Sequence, residues 1–390
     1  MTTAGTHAGP SPDLTWHAPT RVIFGAGTLA KLPSLVDEMA ASPGRVFLVT
    51  GRRSLRARGT LTRVLDALGP SRVTLFDRTP PFPSPDIVDE ALVVCRESRA
   101  DAVVAIGGGS AIDVAKAVAG LATHEGTARE FATTAGLASR QPFQRPGLPF
   151  LAAPTTSGSS SEVTPFAALW DMEAKRSLHL VSPHLFPKVA LVDPELALSM
   201  DRELAAVTGI DAFTSAFESY WSREAGPLTD ALNLEVIRLY ARHLRPSCLD
   251  GNLEARSACA LAATISGMAY TQSRPNVCHA VSSPLTLFWG VAHGQAVGIT
   301  LPAFLAWTAP AIPEKLPALW QALGVGSLEE AVGRLGRLME ACGLVTRLGG
   351  LGVKAADVEL LVQHMRWDRT AVLPRPLGRD DARAILRELL

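Results

Sequence analysis

From residue 21 to residue 156, short apolar runs alternate with segments of helical spacing. RVIFG (21–25), RVFLVT (45–50), SRVTLFD (71–77), ADAVVAIG (100–107) and LPFLAAPTT (148–156) are compact and rich in β-branched or apolar residues, which predicts strands. ADAVVAIG has no polar face, so its strand is predicted to be buried on both sides. TLTRVLDALG (60–69), PDIVDEALVVCRESRA (85–100) and AIDVAKAVAGLA (111–122) repeat apolar residues every three to four positions, which predicts helices. Strands joined by helices of this length imply a parallel sheet with crossover connections. From about residue 196 the strand pattern largely stops. LTDALNLEVIRLYARHL (228–244) and EARSACALAATISGMAYTQ (254–272) predict a mostly helical second half. Asp193-Pro194 in LVDPELALS (191–199) marks a turn and a helix start. The expected organisation is a flexible lead-in over 1–18, an α/β domain over 19–195 and a helical domain over 196–390.

Composition narrows the class. A chain of 390 residues exceeds one ordinary core, so two domains are expected. With 47% hydrophobic and 19% charged residues, it reads as compact rather than disordered. Lys plus Arg equals Asp plus Glu at 37 each, which gives no reason to expect nucleic acid or an anionic membrane as partner. No apolar run is long enough to cross a membrane, and the N-terminus lacks the basic start and apolar stretch of a signal peptide. Five cysteines without a CxxC pair read as reduced thiols, so a cytoplasmic location is expected.

GGGSAIDVAK (107–116) follows the buried strand and opens a helix. A glycine triplet alone is an ordinary tight turn. In a strand–turn–helix context, Gly107, Gly108 and Gly109 let backbone N–H groups approach an anion at a helix N-terminus. Ser110 is read as the N-cap, with Asp113 reaching back as in a capping box. PTTSGSSSEVT (154–164) follows another buried strand, and its hydroxyls at Thr155, Thr156, Ser159 and Ser160 suit the ribose and nicotinamide end of a dinucleotide. At the end of the second strand an acidic residue would hold the adenosine ribose and repel a 2′-phosphate. Here Gly51, Arg52 and Arg53 stand instead, so NADP is favoured, with NAD as the alternative.

His279 and His293 lie in CHAVSSPLTLFWGVAHG, fourteen residues apart with Pro284 and Gly290 between them. One straight helix cannot put both on one face, but a helix, a bend and a new helix start can. With Asp211 from GIDAFTSAFESYWS (209–222), they form a carboxylate-and-imidazole set suited to Fe(II), Zn(II) or a similar ion. Either histidine taken alone reads as a buried imidazole satisfied by backbone.

These motifs, with LVDPELALS between them, resemble the group III, iron-type alcohol dehydrogenases over about residues 20–305. A weaker echo occurs in PRPLGRDDARAIL (374–386). The resemblance implies a dinucleotide-binding parallel-sheet domain, a helical domain of the dehydroquinate synthase-like architecture, and a divalent metal between them. It implies ligands at Asp211, position 215, His279 and His293. Position 215 is Ser, and a further family histidine is Ser283 here. Two readings follow. Either Asp211, His279 and His293 hold an Fe or Zn ion with open positions, or the site is metal-free and His279 or His293 donates the proton.

EVTPFAALWDMEAKRSLHL, the YWS at 220–222 and RPNVCHAVSSPLTLFWGVAHG further resemble the phosphonoacetaldehyde reductases of phosphonate biosynthesis, in which positions 215 and 283 are also often replaced. That resemblance implies NAD(P)H-dependent reduction of a small anionic aldehyde to 2-hydroxyethylphosphonate. Arg274 is then the first candidate for the anion. Lys175, Arg176, Arg366 and Arg369 rank below it, each read as a solvated surface residue. The expected partners are that aldehyde and, at most, a second copy of the chain. Sulfoacetaldehyde, maleylacetate or a plain aldehyde remain as alternatives in the same fold. A non-catalytic dinucleotide-binding protein is the alternative of another class.

Overall fold

The computed structural model describes residues 15–40, 43–52, 54–57, 59–134 and 142–390. Most of the lead-in, residues 1–14, and Arg53 lie outside the described residues. The strands are β1 Arg21–Phe24, β2 Val46–Gly51, β3 Val73–Thr79, β4 Ala102–Gly107, β5 Phe150–Pro154, β6 Phe166–Asp171, β7 Arg176–Val181 and β8 Val189–Val192. Six of them form one parallel sheet in the order β1-β8-β5-β4-β2-β3. Alternation along β4 divides the core. Val103 and Ala105 pack with Ile112 and Val118 of the helix Gly109–Leu121 on one face, while Val104 and Ile106 pack with Leu35 and Val64 on the other. Both faces are covered, which is why the central strand carries no polar residue.

β6 and β7 form an antiparallel hairpin that the hydrophobic pattern did not predict. Its burial alternates imperfectly because one side packs on the helix Gly109–Leu121 and the other faces a cavity. β8 was also missed as a strand. It is only four residues long and enters the sheet between β1 and β5.

After the short helix Pro194–Ala197, which Asp193 caps through Glu195 N, the described residues are helical. The helices Arg202–Trp221, Pro227–Leu249 and Leu253–Ser273 enclose a separate core that includes Phe213, Phe217, Tyr240 and Leu244. None of the described helices is long and apolar enough to cross a membrane. The Ser-rich segment joins the two halves rather than linking them loosely. Tyr240 and Tyr270 donate their hydroxyls to the carbonyls of Ser157 (3.0 Å) and Ser159 (2.8 Å). Thr264 Oγ1 donates to Glu162 at 2.8 Å.

Candidate active site

Strand order brings the glycine and hydroxyl motifs together. β4 lies between β2 and β5, with Thr50 beside Ile106 and Gly107 beside Pro154. Gly51, the 107–109 turn and Thr155-Thr156 therefore emerge side by side at the carboxyl ends of the strands, where open α/β sheets bind ligands. A cavity of about 1580 Å3 starts here. A Cβ on Gly109 would come within 2.6 Å of the Ser159 side chain, so only glycine lets the turn and the hydroxyl loop approach this closely. This cradle fits a dinucleotide pyrophosphate. Arg52 lines the same end and donates through Nε to the Arg78 carbonyl at 3.1 Å.

Three residues of the cradle, Ser110, Asp113 and Ser160, differ from expectation. Gly108, not Ser110, is the N-cap of the helix, and Asp113 does not close a capping box. Asp113 instead accepts from Ser161 Oγ and from the backbone N of Ala168 (3.0 Å), and lies 3.7 Å from Lys116 Nζ. Lys116 is buried, and its ammonium needs that carboxylate more than the helix start does. Burial pushes the Asp113 carboxyl up and the Lys116 ammonium down to about 8, opposed in each case by the partner's charge. Ser160 turns away from the cavity in a left-handed conformation and donates to the carbonyl of Ala263 at 2.6 Å. Ser161 lines the cavity instead.

The second half supplies the other wall. Asp211 and Ser215 lie one turn apart on the helix Arg202–Trp221, and Glu218 follows on the same face. The helix Val277–Trp289 carries His279 and ends at Gly290 in a left-handed cap, after which His293 opens the helix His293–Gly298. A Cβ on Gly294 would lie 1.9 Å from the Val207 carbonyl and 3.1 Å from the Asp211 Cβ, so glycine there lets His293 reach Asp211. The donor atoms of Asp211, His279 and His293 lie within 4.8 Å of one another. His279 Nε2 is 3.4 Å from Asp211 Oδ1, and that buried oxygen has no hydrogen-bond partner.

Glu218 completes the group, and sequence reasoning passed over it although its i, i+7 spacing from Asp211 was visible. It is fully buried and accepts from His279 Nδ1 and from the backbone N of Cys278. Burial pulls the His279 imidazole down, but Glu218 and Asp211 outweigh it and hold it up at about 9. Burial lowers His293 to about 4, with Asp211 opposing and His279 assisting. Burial raises the Asp211 carboxyl, yet the two imidazoles keep it below its ordinary range. An orphaned carboxylate oxygen, two imidazoles and a carboxylate fixing one ring from behind fit a divalent cation. Ser215 and Ser283 line the cavity beside this set.

Among the basic candidates only Arg366 and Arg369 are placed differently from expectation. Arg274 lines the cavity, but its side chain is 73% exposed and pairs with Glu224 at 3.2 Å. Lys175 and Arg176 are exposed, and neither lines the cavity. Arg366 and Arg369, expected on the solvated surface, form part of the cavity wall. Arg366 caps and Arg369 lies in a six-residue 3-10 helix, Trp367–Val372, too short for a periodicity to report which side faces the cavity. This segment packs against the histidine-bearing helix, where Arg366 N donates to the Ala280 carbonyl at 3.2 Å.

Comparison with known proteins agrees with this architecture. The family model for iron-containing alcohol dehydrogenases matches residues 19–194, and the C-terminal model of the Fe-containing alcohol dehydrogenase family matches residues 205–390. The 1,3-propanediol dehydrogenase of Klebsiella pneumoniae is 33% identical over 359 residues, covering 88% of this chain and 91% of its own. The lactaldehyde reductase of Escherichia coli K12 is 33% identical over 350 residues, covering 87% and 90%. The sulfoacetaldehyde reductase of Bifidobacterium kashiwanohense, solved with NAD+, superposes with a TM-score of 0.88 at 27% identity, covering 96% and 98%. The chain belongs to the iron-containing alcohol dehydrogenase family and is an NAD(P)-dependent alcohol dehydrogenase or aldehyde reductase.

Proposed function

We propose that the chain reduces a small anionic aldehyde with NADPH or NADH, phosphonoacetaldehyde being the candidate substrate and 2-hydroxyethylphosphonate the product. The observation that carries this reading is one continuous cavity, lined at one end by the glycine cradle and at the other by Asp211, His279 and His293. When bound, the nicotinamide supplies hydride to the carbonyl carbon, and a divalent ion on Asp211, His279 and His293 supplies Lewis-acid polarisation of the carbonyl oxygen. Gly108, Gly109, Thr155, Thr156 and Ser159 hold the dinucleotide, and Gly51 with Arg52 leaves room and positive charge for a 2′-phosphate. Glu218 holds the His279 ring with Nε2 toward Asp211.

A second reading of the same site has its own support. Flanked by two carboxylates, a His279 held up at about 9 is a proton donor at neutral pH and can protonate the forming alkoxide without an ion. The substrate assignment is supported by the resemblance to phosphonoacetaldehyde reductases and by the sulfoacetaldehyde reductase among the structural neighbours. Initial rates with NADPH and NADH across phosphonoacetaldehyde, sulfoacetaldehyde and neutral aldehydes of similar size test it. A preference for neutral aldehydes overturns the anionic substrate class. No turnover with any aldehyde overturns the reductive direction and leaves alcohol oxidation with NAD(P)+ to be tested.

A further inference from the structure

We infer that Arg369 binds the anionic group of the substrate, with Arg366 fixed beside it as a brace. The inference rests on the anionic-aldehyde reading above and names the residue that carries it. The wall next to His293 is built by the β6–β7 hairpin. The Trp170 ring lies edge-on to His293 with centroids 5.8 Å apart, and Trp170 pairs across the hairpin with Ser177, as Ala168 does with His179. Arg366 Nη1 lies 3.3 Å from Ser177 Oγ and 3.2 Å from His179 Nε2. Its Nε and Nη2 donate to the two oxygens of Asp368 at 2.9 and 2.8 Å. Arg366 is thereby held in place, and its charge is balanced.

Arg369 lines the same wall three residues later. Among the described residues its guanidinium makes no hydrogen bond and no ion pair. The carboxylates whose charge reaches it are already engaged, Asp368 by Arg366 and Glu218 by His279. Its charge in turn reaches His293 and His179. A partly buried cation without a counter-charge is unfavourable to the fold by itself and is stabilised by an anion arriving from outside. The other cations of the cavity are poorly suited to that role. Arg274 is exposed and paired with Glu224, Arg223 is exposed and donates to the Ala371 carbonyl, and Arg52 stands at the dinucleotide end. The class that fits is a short aldehyde bearing a phosphonate, sulfonate or carboxylate, its carbonyl at the Asp211–His279–His293 group and its anion on the planar donor fork of Arg369.

The test compares R369A, R369K and R274A with wild type, using phosphonoacetaldehyde and propanal as paired substrates and measuring NADPH affinity by nucleotide fluorescence. The readout is the ratio of kcat/KM for the anionic over the neutral aldehyde. In R369A it should fall by about 100-fold, mainly through KM, with NADPH affinity within a few-fold of wild type. R369K, which keeps the charge without the fork, should lie between R369A and wild type. R274A should move the ratio less than fivefold. Residual propanal reduction by R369A reports a folded enzyme, and R369K serves if R369A does not fold. Equal losses on both substrates, a larger shift in R274A, or a loss of NADPH affinity that accounts for the effect would each overturn the assignment to Arg369 while leaving the anionic substrate class standing. A wild-type enzyme that prefers propanal would overturn both.

Discussion

The buried carboxylate of Glu218 accepts a hydrogen bond from Nδ1 of His279, so the ring presents Nε2 to Asp211. The two residues come from different helices, and the contact fixes both the tautomer and the orientation of an imidazole that faces the cavity. Glu218→Gln keeps the shape and removes the charge. It should lower kcat/KM by about 10–100-fold, with a parallel loss of metal affinity if an ion is held there. Steady-state rates and metal content by mass spectrometry check it. Wild-type rates in the variant would reduce Glu218 to packing.

Ser215 stands one helical turn from Asp211, at the lining of the same cavity. Ser215→His should add a fourth ligand and tighten binding of Fe(II), Zn(II), Mn(II) or Ni(II). Exhaustive chelation should inactivate the wild type, and one of these ions should restore it. Full activity after chelation, with no gain from any ion, would leave proton transfer by His279 as the working mechanism.

Gly51 closes β2 at the cavity, and a Cβ there would meet nothing within 4 Å. Gly51→Asp therefore tests charge rather than space. The carboxylate should repel a 2′-phosphate and shift the ratio of kcat/KM for NADPH over NADH toward NADH by about tenfold or more. A wild type that ignores NADPH would remove the basis of this expectation.

His179 is pushed down to about 3, by burial first and then by the charges of Arg369 and Arg366. Below its ordinary value near 6.5 the unfolded chain binds a proton that the folded chain refuses. The folded state therefore loses stability as pH falls from about 6.5 to 3. His179→Gln retains an acceptor for Arg366 and should flatten that part of the profile, by on the order of 2–4 kcal/mol at the acid end. Urea denaturation of both proteins at a series of pH values measures it. Parallel profiles would show that His179 titrates freely in the folded protein.

Local order was legible in the sequence. β1 to β5, the helices Thr60–Leu68, Pro85–Ser98 and Gly109–Leu121 and the helical second half follow from spacing that acts within a few residues, and the family motifs occur as continuous stretches. Asp211, His279 and His293 could be singled out as residue types with ligand chemistry. Their approach to within 4.8 Å depends on Gly290 turning the chain and Gly294 admitting the Asp211 helix. Side-chain partners were not legible. Asp113 resembles half of a capping box, but a buried lysine and the hydroxyl of Ser161 claim it. Glu218 resembles one more polar residue on a helix until His279 meets it. Arg366 caps and Arg369 sits in a 3-10 helix of six residues, too short for periodicity to report its cavity-facing side. Hydrophobic spacing and helix breaks are local energies, written in neighbouring residues. The pairing of a buried charge is settled by whichever group packing brings within reach, and only the folded chain decides that.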